Sequence, residues 1–306
     1  MRVLKTVIGS SWRLGLCALV GVVGTAVGGA IVAGLGMTLP EMPEQTNERV
    51  AGLLLFIAGF VLAAGLIPLA RRLQGSYWLR WLMLALLCYV CLGVASPLEG
   101  AIFTTLPGMG SIPVLFVPHC LLFAAAVAAL FKPVRTGGSP LAACRRFFGD
   151  RSLRQWAWRL GAATLAFPVI YWTFGLMVAP FVMPYYEQGQ FALSVPSPGV
   201  IVLTQLLRSL LFLGASVPIL VMWSGSRRHL VVALGLAFYM LVGLFGMVQS
   251  YWLAPTLQIL HNTEILADSM VYALALALLL VRRDEVQADE LYARLLLSTE
   301  QTAIVN

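Results

Sequence analysis

Charge is scarce in this chain. Asp, Glu, Lys and Arg make up 11 % of its 306 residues, where a soluble domain carries about 25 %. With 60 % of residues apolar and a mean hydropathy of +0.88, that scarcity excludes a water-soluble globule and a disordered chain. Histidine is scarcer still, with three residues, too few and too scattered for a Ser-His-Asp triad. Cysteine is limited to five, an odd number. Cys17, Cys88, Cys91 and Cys120 lie in apolar runs and Cys144 in a basic loop, so no disulfide framework is implied. There is no P-loop, no G-x-S-x-G and no H-E-x-x-H, and no polar loop is long enough to form a separate catalytic domain.

What the chain has is long apolar runs. A run of about 20 residues crosses a bilayer. Eight such runs are present, near 14–37, 50–70, 79–98, 112–131, 160–183, 199–223, 230–253 and 262–281. The net charge of +7 would suggest nucleic acid in a soluble protein. Here the basic residues sit beside the apolar runs and act as topology signals, so no nucleic-acid partner is expected. One side collects 18 of the 20 Lys and Arg residues, including Arg71, Arg72 and Arg80 and the Arg-rich segment 132–158. The other side has Arg49 with Glu41, Glu44, Glu48 and Glu187. By the positive-inside rule both termini are cytoplasmic. The charge bias and short loops point to a bacterial inner membrane.

The runs fall into two sets of four. Trp12-Arg13-Leu14-Gly15 opens the first and Trp158-Arg159-Leu160-Gly161 the fifth. Pro68 matches Pro218, Tyr89-x3-Gly93 matches Tyr239-x3-Gly243, and Pro113-x5-His119 matches Pro255-x5-His261. The offsets of 146, 150, 150 and 142 keep their order along the chain. This predicts an all-α polytopic membrane protein of eight transmembrane helices, arranged as two parallel tandem four-helix repeats. The divisions are a first repeat at 1–131, a cytoplasmic Arg-rich linker at 132–158, a second repeat at 159–281, and a cytoplasmic C-terminal helix at 282–306. Gly24-x3-Gly28 in the first run serves either a dimer face or close packing inside the bundle. Cys88-x-x-Cys91 is either a metal or redox pair or two small residues at a helix contact.

Ionisable groups inside a bilayer are costly and mark functional sites. At about 1.5 Å per residue, Asp268, His119 and Arg208 lie roughly 20–22 Å above the basic flank of their helices, while Glu264, Glu99 and His261 lie roughly 27–31 Å above it. His261, Glu264 and Asp268 occupy i, i+3 and i+7 on one helix face. Arg208 with Asp268 is the expected ion pair, tying helix six to helix eight. The six groups Glu99, His119, Arg208, His261, Glu264 and Asp268 together suggest an outward-facing hydrated cavity that binds or transports a small polar ligand or ion. The alternatives are a redox protein holding heme or a metal through His119 and His261, a membrane hydrolase using His261 and Glu264, and an assembly subunit without catalysis. Tyr171, Trp172, Tyr185, Tyr186, Tyr251 and Trp252 read as interface anchors.

The spacing also resembles the heme A synthase family. Gly28-Gly29-Ala30-Ile31-Val32-Ala33-Gly34-Leu35-Gly36 with Leu39-Pro40 is similar to the glycine-rich end of that family's first helix and its following loop. Asn47-Glu48-Arg49-Val50-Ala51-Gly52 stands where its second helix opens with His-Arg. Pro118-His119 and Leu260-His261 stand where the fourth helix of each unit carries a heme-ligating histidine. The resemblance implies two tandem four-helix units with cytoplasmic termini, and heme as a cofactor. The family's second-helix histidines have no counterpart at Glu48 or in 199–208, and its outer-loop cysteine pair is absent, so its activity is not implied.

Overall fold

In the computed structural model, residues 2–40, 47–135, 137–149 and 151–282 are described, with the side chains of 2–10 left aside. The expected C-terminal helix at 282–306 falls outside them from 283 onward, as do Glu41 and Glu44. The described chain is helical, with no strand. Eight helices are long and apolar enough to cross a membrane. Span one is α1 (Arg2–Gly34) and span two is α2 (Glu48–Ala70). Span three runs through α3 (Tyr77–Cys88), a π segment (Tyr89–Ala95) and α4 (Ser96–Phe103). Span four is α5 (Ile112–Leu130), and the linker carries a short α6 (Pro140–Gly149). Span five is α7 (Leu153–Glu187) and span six is α8 (Pro198–Val221). Span seven runs through α9 (Arg227–Phe238), a π segment (Tyr239–Leu244) and α10 (Phe245–Gln249). Span eight is α11 (Pro255–Leu280).

Polar caps set several starts. Asn47 Oδ1 accepts from the Arg49 and Val50 amides at α2. Ser76 and Ser226 cap α3 and α9, and Ser152 with Gln155 forms a capping box at α7. That box starts span five at Leu153, seven residues before the apolar run alone predicts. Span three likewise outlasts its expected end at 98, because the π segment carries the helix on to Phe103. Within that segment the Tyr89 ring folds over Gly93, where a Cβ would come within 2.7 Å of it.

The basic residues do more than mark topology. At their end of the bundle they satisfy the terminal carbonyls that a helix leaves open. Arg80 Nη2 donates to Ala70 O at 3.2 Å and Phe131 O at 2.5 Å, closing α2 and the end of α5 together. Arg151 donates to Leu280 O, Arg159 to Leu279 O and Arg227 to Ala277 O, closing α11. Arg80 is buried, so Arg80→Met leaves two carbonyls without that donor. The expected loss is about 2 kcal/mol of stability, read as a lower melting temperature in detergent; an unchanged melting temperature would show that water replaces the arginine there.

At the same end the loops after α2 and α8 join. The Gln74 amide donates to Met222 O at 3.0 Å and the Ser224 amide to Arg72 O at 2.9 Å. The two halves also meet through α2 against α9–α10 and through α3 against α8. Inside the first half, α1 lies close on α5. A Cβ on Gly24 would fall 2.6 Å from His119 Cα, and one on Gly28 2.0 Å from Leu115 O. Gly24-x3-Gly28 is therefore used within the bundle. Cys88 and Cys91 are both fully buried among apolar neighbours, as two small residues at a helix contact.

Candidate functional site

Five of the six expected polar residues line one cavity. It offers about 280 Å3 of water-accessible space between spans three, five, six, seven and eight. Glu99 comes from α4, Arg208 from α8, and His261, Glu264 and Asp268 from α11. Thr104, Leu193 and Leu253 border it from the connecting loops, so it lies toward the end opposite the arginine-capped carbonyls.

Helix periodicity places the α11 residues. His261, Glu264 and Asp268 share one stripe, and α7 lies across from it. Gly175 of α7 has no side chain to block the approach, since a Cβ there would sit 3.3 Å from Glu264 Oε1. Glu264 Oε2 is 3.1 Å from His261 Nδ1, and the Tyr186 hydroxyl is 3.3 Å from His261 Nε2. The three form a chain across the mouth, with Tyr186 edge-on to Phe103.

The ion pair differs from the expected one. Arg208 Nη1 lies 2.6 Å from Glu99 Oε1 and donates to Gln205 Oε1 at 2.8 Å, while Gln205 Nε2 donates to Glu99 at 3.4 Å. The guanidinium also lies over the rings of Phe167 and Phe212, 5.6 and 5.5 Å from their centroids. So Arg208 ties helix six to helix three. A uniform rise per residue puts Glu99 too far out because the π segment of span three fits more residues into each turn. Asp268 is left without this partner: it is 6 % exposed, and its Oδ1 has no hydrogen bond.

His119 does not line the cavity. Its Nδ1 lies 2.9 Å from the Thr25 hydroxyl and 3.0 Å from Gly21 O. Its ring stacks on Phe123 and meets Phe116 and Phe245 edge-on. A depth count reports height but not which way a side chain faces, and here His119 faces α1. The sequence reading missed Gln205 and the aromatic wall of Phe167, Phe212, Phe238 and Tyr272. Thr204, Gln205, Arg208 and Ser209 form a polar stripe on α8 that was open to discovery. Tyr171 and Tyr186 line the cavity; Tyr186 lies at the end of α7, whereas Tyr171 stands midway along it, because the helix runs on to Glu187. Tyr251 accepts a hydrogen bond from the Asn47 amide.

Among the described residues no group of three or more His, Cys, Asp or Glu side chains is disposed to hold a metal ion. Nor do the residues fit a heme held between His119 and His261: one ring is enclosed by three phenylalanines away from the cavity, and the other is held between Tyr186 and Glu264. The chain matches no family profile, no curated protein and no solved structure.

Proposed function

We propose that this integral membrane protein binds or transports a small polar ligand or ion through the cavity lined by Glu99, Arg208, His261, Glu264 and Asp268. The observation that carries this reading is the convergence of five ionisable side chains from three spans on one solvent-sized space within an otherwise apolar bundle.

The proposal includes an internal duplication, with both termini cytoplasmic and a bacterial inner membrane as the site. Three features support the duplication. The π segments start at Tyr89 and Tyr239, the capping serines are Ser76 and Ser226, and the joined loops pair Arg72 with Ser224 and Gln74 with Met222. The first two are related by an offset of 150, and in the joined loops Arg72 and Gln74 stand 150 residues before Met222 and Ser224, each bonding the other's counterpart. On the same alignment Arg208 and Gln205 correspond to Ala58 and Leu55. At the span-eight offset of 142, Glu264 and Asp268 correspond to Leu122 and Ala126. Apart from Glu99, which span three of the first unit supplies, the ionisable residues of the cavity belong to the second unit. The likeness to heme A synthases is kept as a proposal about the scaffold alone.

Thiol labelling tests the cavity. Cys144 is the one exposed cysteine among the five, all of them described. In a Cys144→Ser background, Ser96→Cys places a thiol on the cavity wall. A charged, membrane-impermeant thiol reagent is expected to modify it from the side opposite the arginine-rich loops, and not from the arginine-rich side. Lack of labelling from either side would overturn a hydrated, open cavity. Labelling from the arginine-rich side alone would overturn its direction.

A further inference from the structure

We infer that the cavity's ligand is a small organic ammonium ion, with Asp268 as its counter-ion. This rests on the reading of the cavity as a ligand site and assigns that ligand a chemical class. The first argument is the charge of the wall. Glu99, Glu264 and Asp268 face it with Arg208 as the one fixed cation, and Arg208 is already engaged at 2.6 Å by Glu99 and at 2.8 Å by Gln205. His261 Nδ1 lies 3.1 Å from Glu264 Oε2. Arg208 balances Glu99, which leaves the carboxyls of Glu264 and Asp268 without a fixed cation on the wall.

The second argument is the state of Asp268. It is 94 % buried on a lining position, and its Oδ1 accepts no hydrogen bond. A buried carboxylate oxygen without a donor is costly. Asp268 lines the cavity, and a rotation of its carboxyl that brings Oδ1 to the cavity surface lets a ligand ammonium N–H supply the missing bond and the compensating charge together.

The third argument is the remainder of the wall. Beyond the Phe167 and Phe212 rings that Arg208 covers, Phe238 and Tyr272 line the cavity with ring centroids 5.8 Å apart. Aromatic faces attract cations and pack against hydrocarbon, so they suit an ammonium carried on an apolar body. An inorganic cation would need several oxygen ligands, as hard ions do. The described residues hold no cluster of three acidic or metal-binding side chains to provide them.

The test uses melting temperatures of the detergent-purified full chain with benzylammonium, benzyl alcohol and benzoate at matched ionic strength, and with sodium and potassium chloride. Benzylammonium at about ten times its Kd is expected to raise the melting temperature by about 3 °C, with the others inert. Asp268→Asn, a neutral isostere, is expected to abolish the shift. Val242→Phe narrows the cavity without changing charge and is expected to weaken it. A shift that persists in Asp268→Asn, or an equal shift with sodium, would overturn the organic-cation assignment. A benzoate shift lost in Arg208→Met would overturn it too, while leaving the cavity as a ligand site. No shift with any probe would also overturn the assignment; thiol labelling at Ser96→Cys then decides separately whether the cavity reading survives.

Discussion

Arg208→Met is expected to lower the melting temperature of the detergent-solubilised protein by roughly 10 °C. Removing one member of a buried ion pair costs about 3–5 kcal/mol because the other is left uncompensated, and each kcal/mol moves the midpoint of a chain this size by about 2–4 °C. Arg208 is 1 % exposed and is held by Glu99, Gln205 and two aromatic faces. Glu99→Gln is expected to cost less, since the Glu99 side chain is 25 % exposed toward the cavity and water can reach it. Joining Glu99→Gln with Arg208→Met should therefore recover part of the single-variant loss. A double-mutant cycle should give a coupling on the order of 2 kcal/mol between Arg208 and Glu99, and a smaller one between Arg208 and Asp268. The reverse ranking would restore the Arg208–Asp268 pair and refute the arrangement described above.

Gly28→Val is the second large effect. The new Cβ would lie 2.0 Å from Leu115 O and 2.8 Å from Leu115 C. Those are backbone atoms, so no side chain can rotate aside, and α1 must move off α5. The loss should exceed about 3 kcal/mol, at the severe end for single substitutions, with little folded protein recovered. Gly29→Val is the control, because nothing lies within 4 Å of its Cβ position; it should change stability by no more than about 0.5 kcal/mol. Melting curves and size-exclusion profiles of the two variants separate the alternatives. If Gly28→Val kept its melting temperature but changed oligomeric state, the glycines would serve a dimer face instead.

These cases also show what was legible beforehand. The eight spans are read within a few residues because hydropathy is a sum over local side chains, and bilayer thickness sets the length. The larger differences fall at helix ends, which caps and helix type set and hydropathy does not. Span five begins early through the Ser152–Gln155 cap, and span three runs late through its π segment. The stripe of His261, Glu264 and Asp268 is legible because one helix fixes it; the partner of Arg208 is not, since that depends on how three helices rotate about their axes. His119 shows the same limit. Its height resembles that of Asp268 by residue count, yet its imidazole is tied to Thr25 and Gly21 through a glycine contact that no count along span four reveals.

The amino-acid sequence by itself determined that this chain has eight apolar helices, where each begins and ends to within about two turns, and which few ionisable residues lie among them. Those properties depend on neighbours along the chain, within a helical turn or a bilayer's thickness. Only the tertiary structure decided that Glu99, Gln205 and Arg208 form one cluster, that Asp268 stands apart from it facing an aromatic cavity, and that His119 belongs to the contact of α1 with α5. Those outcomes depend on helix rotation, on the extra residue per turn in a π segment, and on the close approach that glycine permits. All three are settled by the packing of helices distant in sequence.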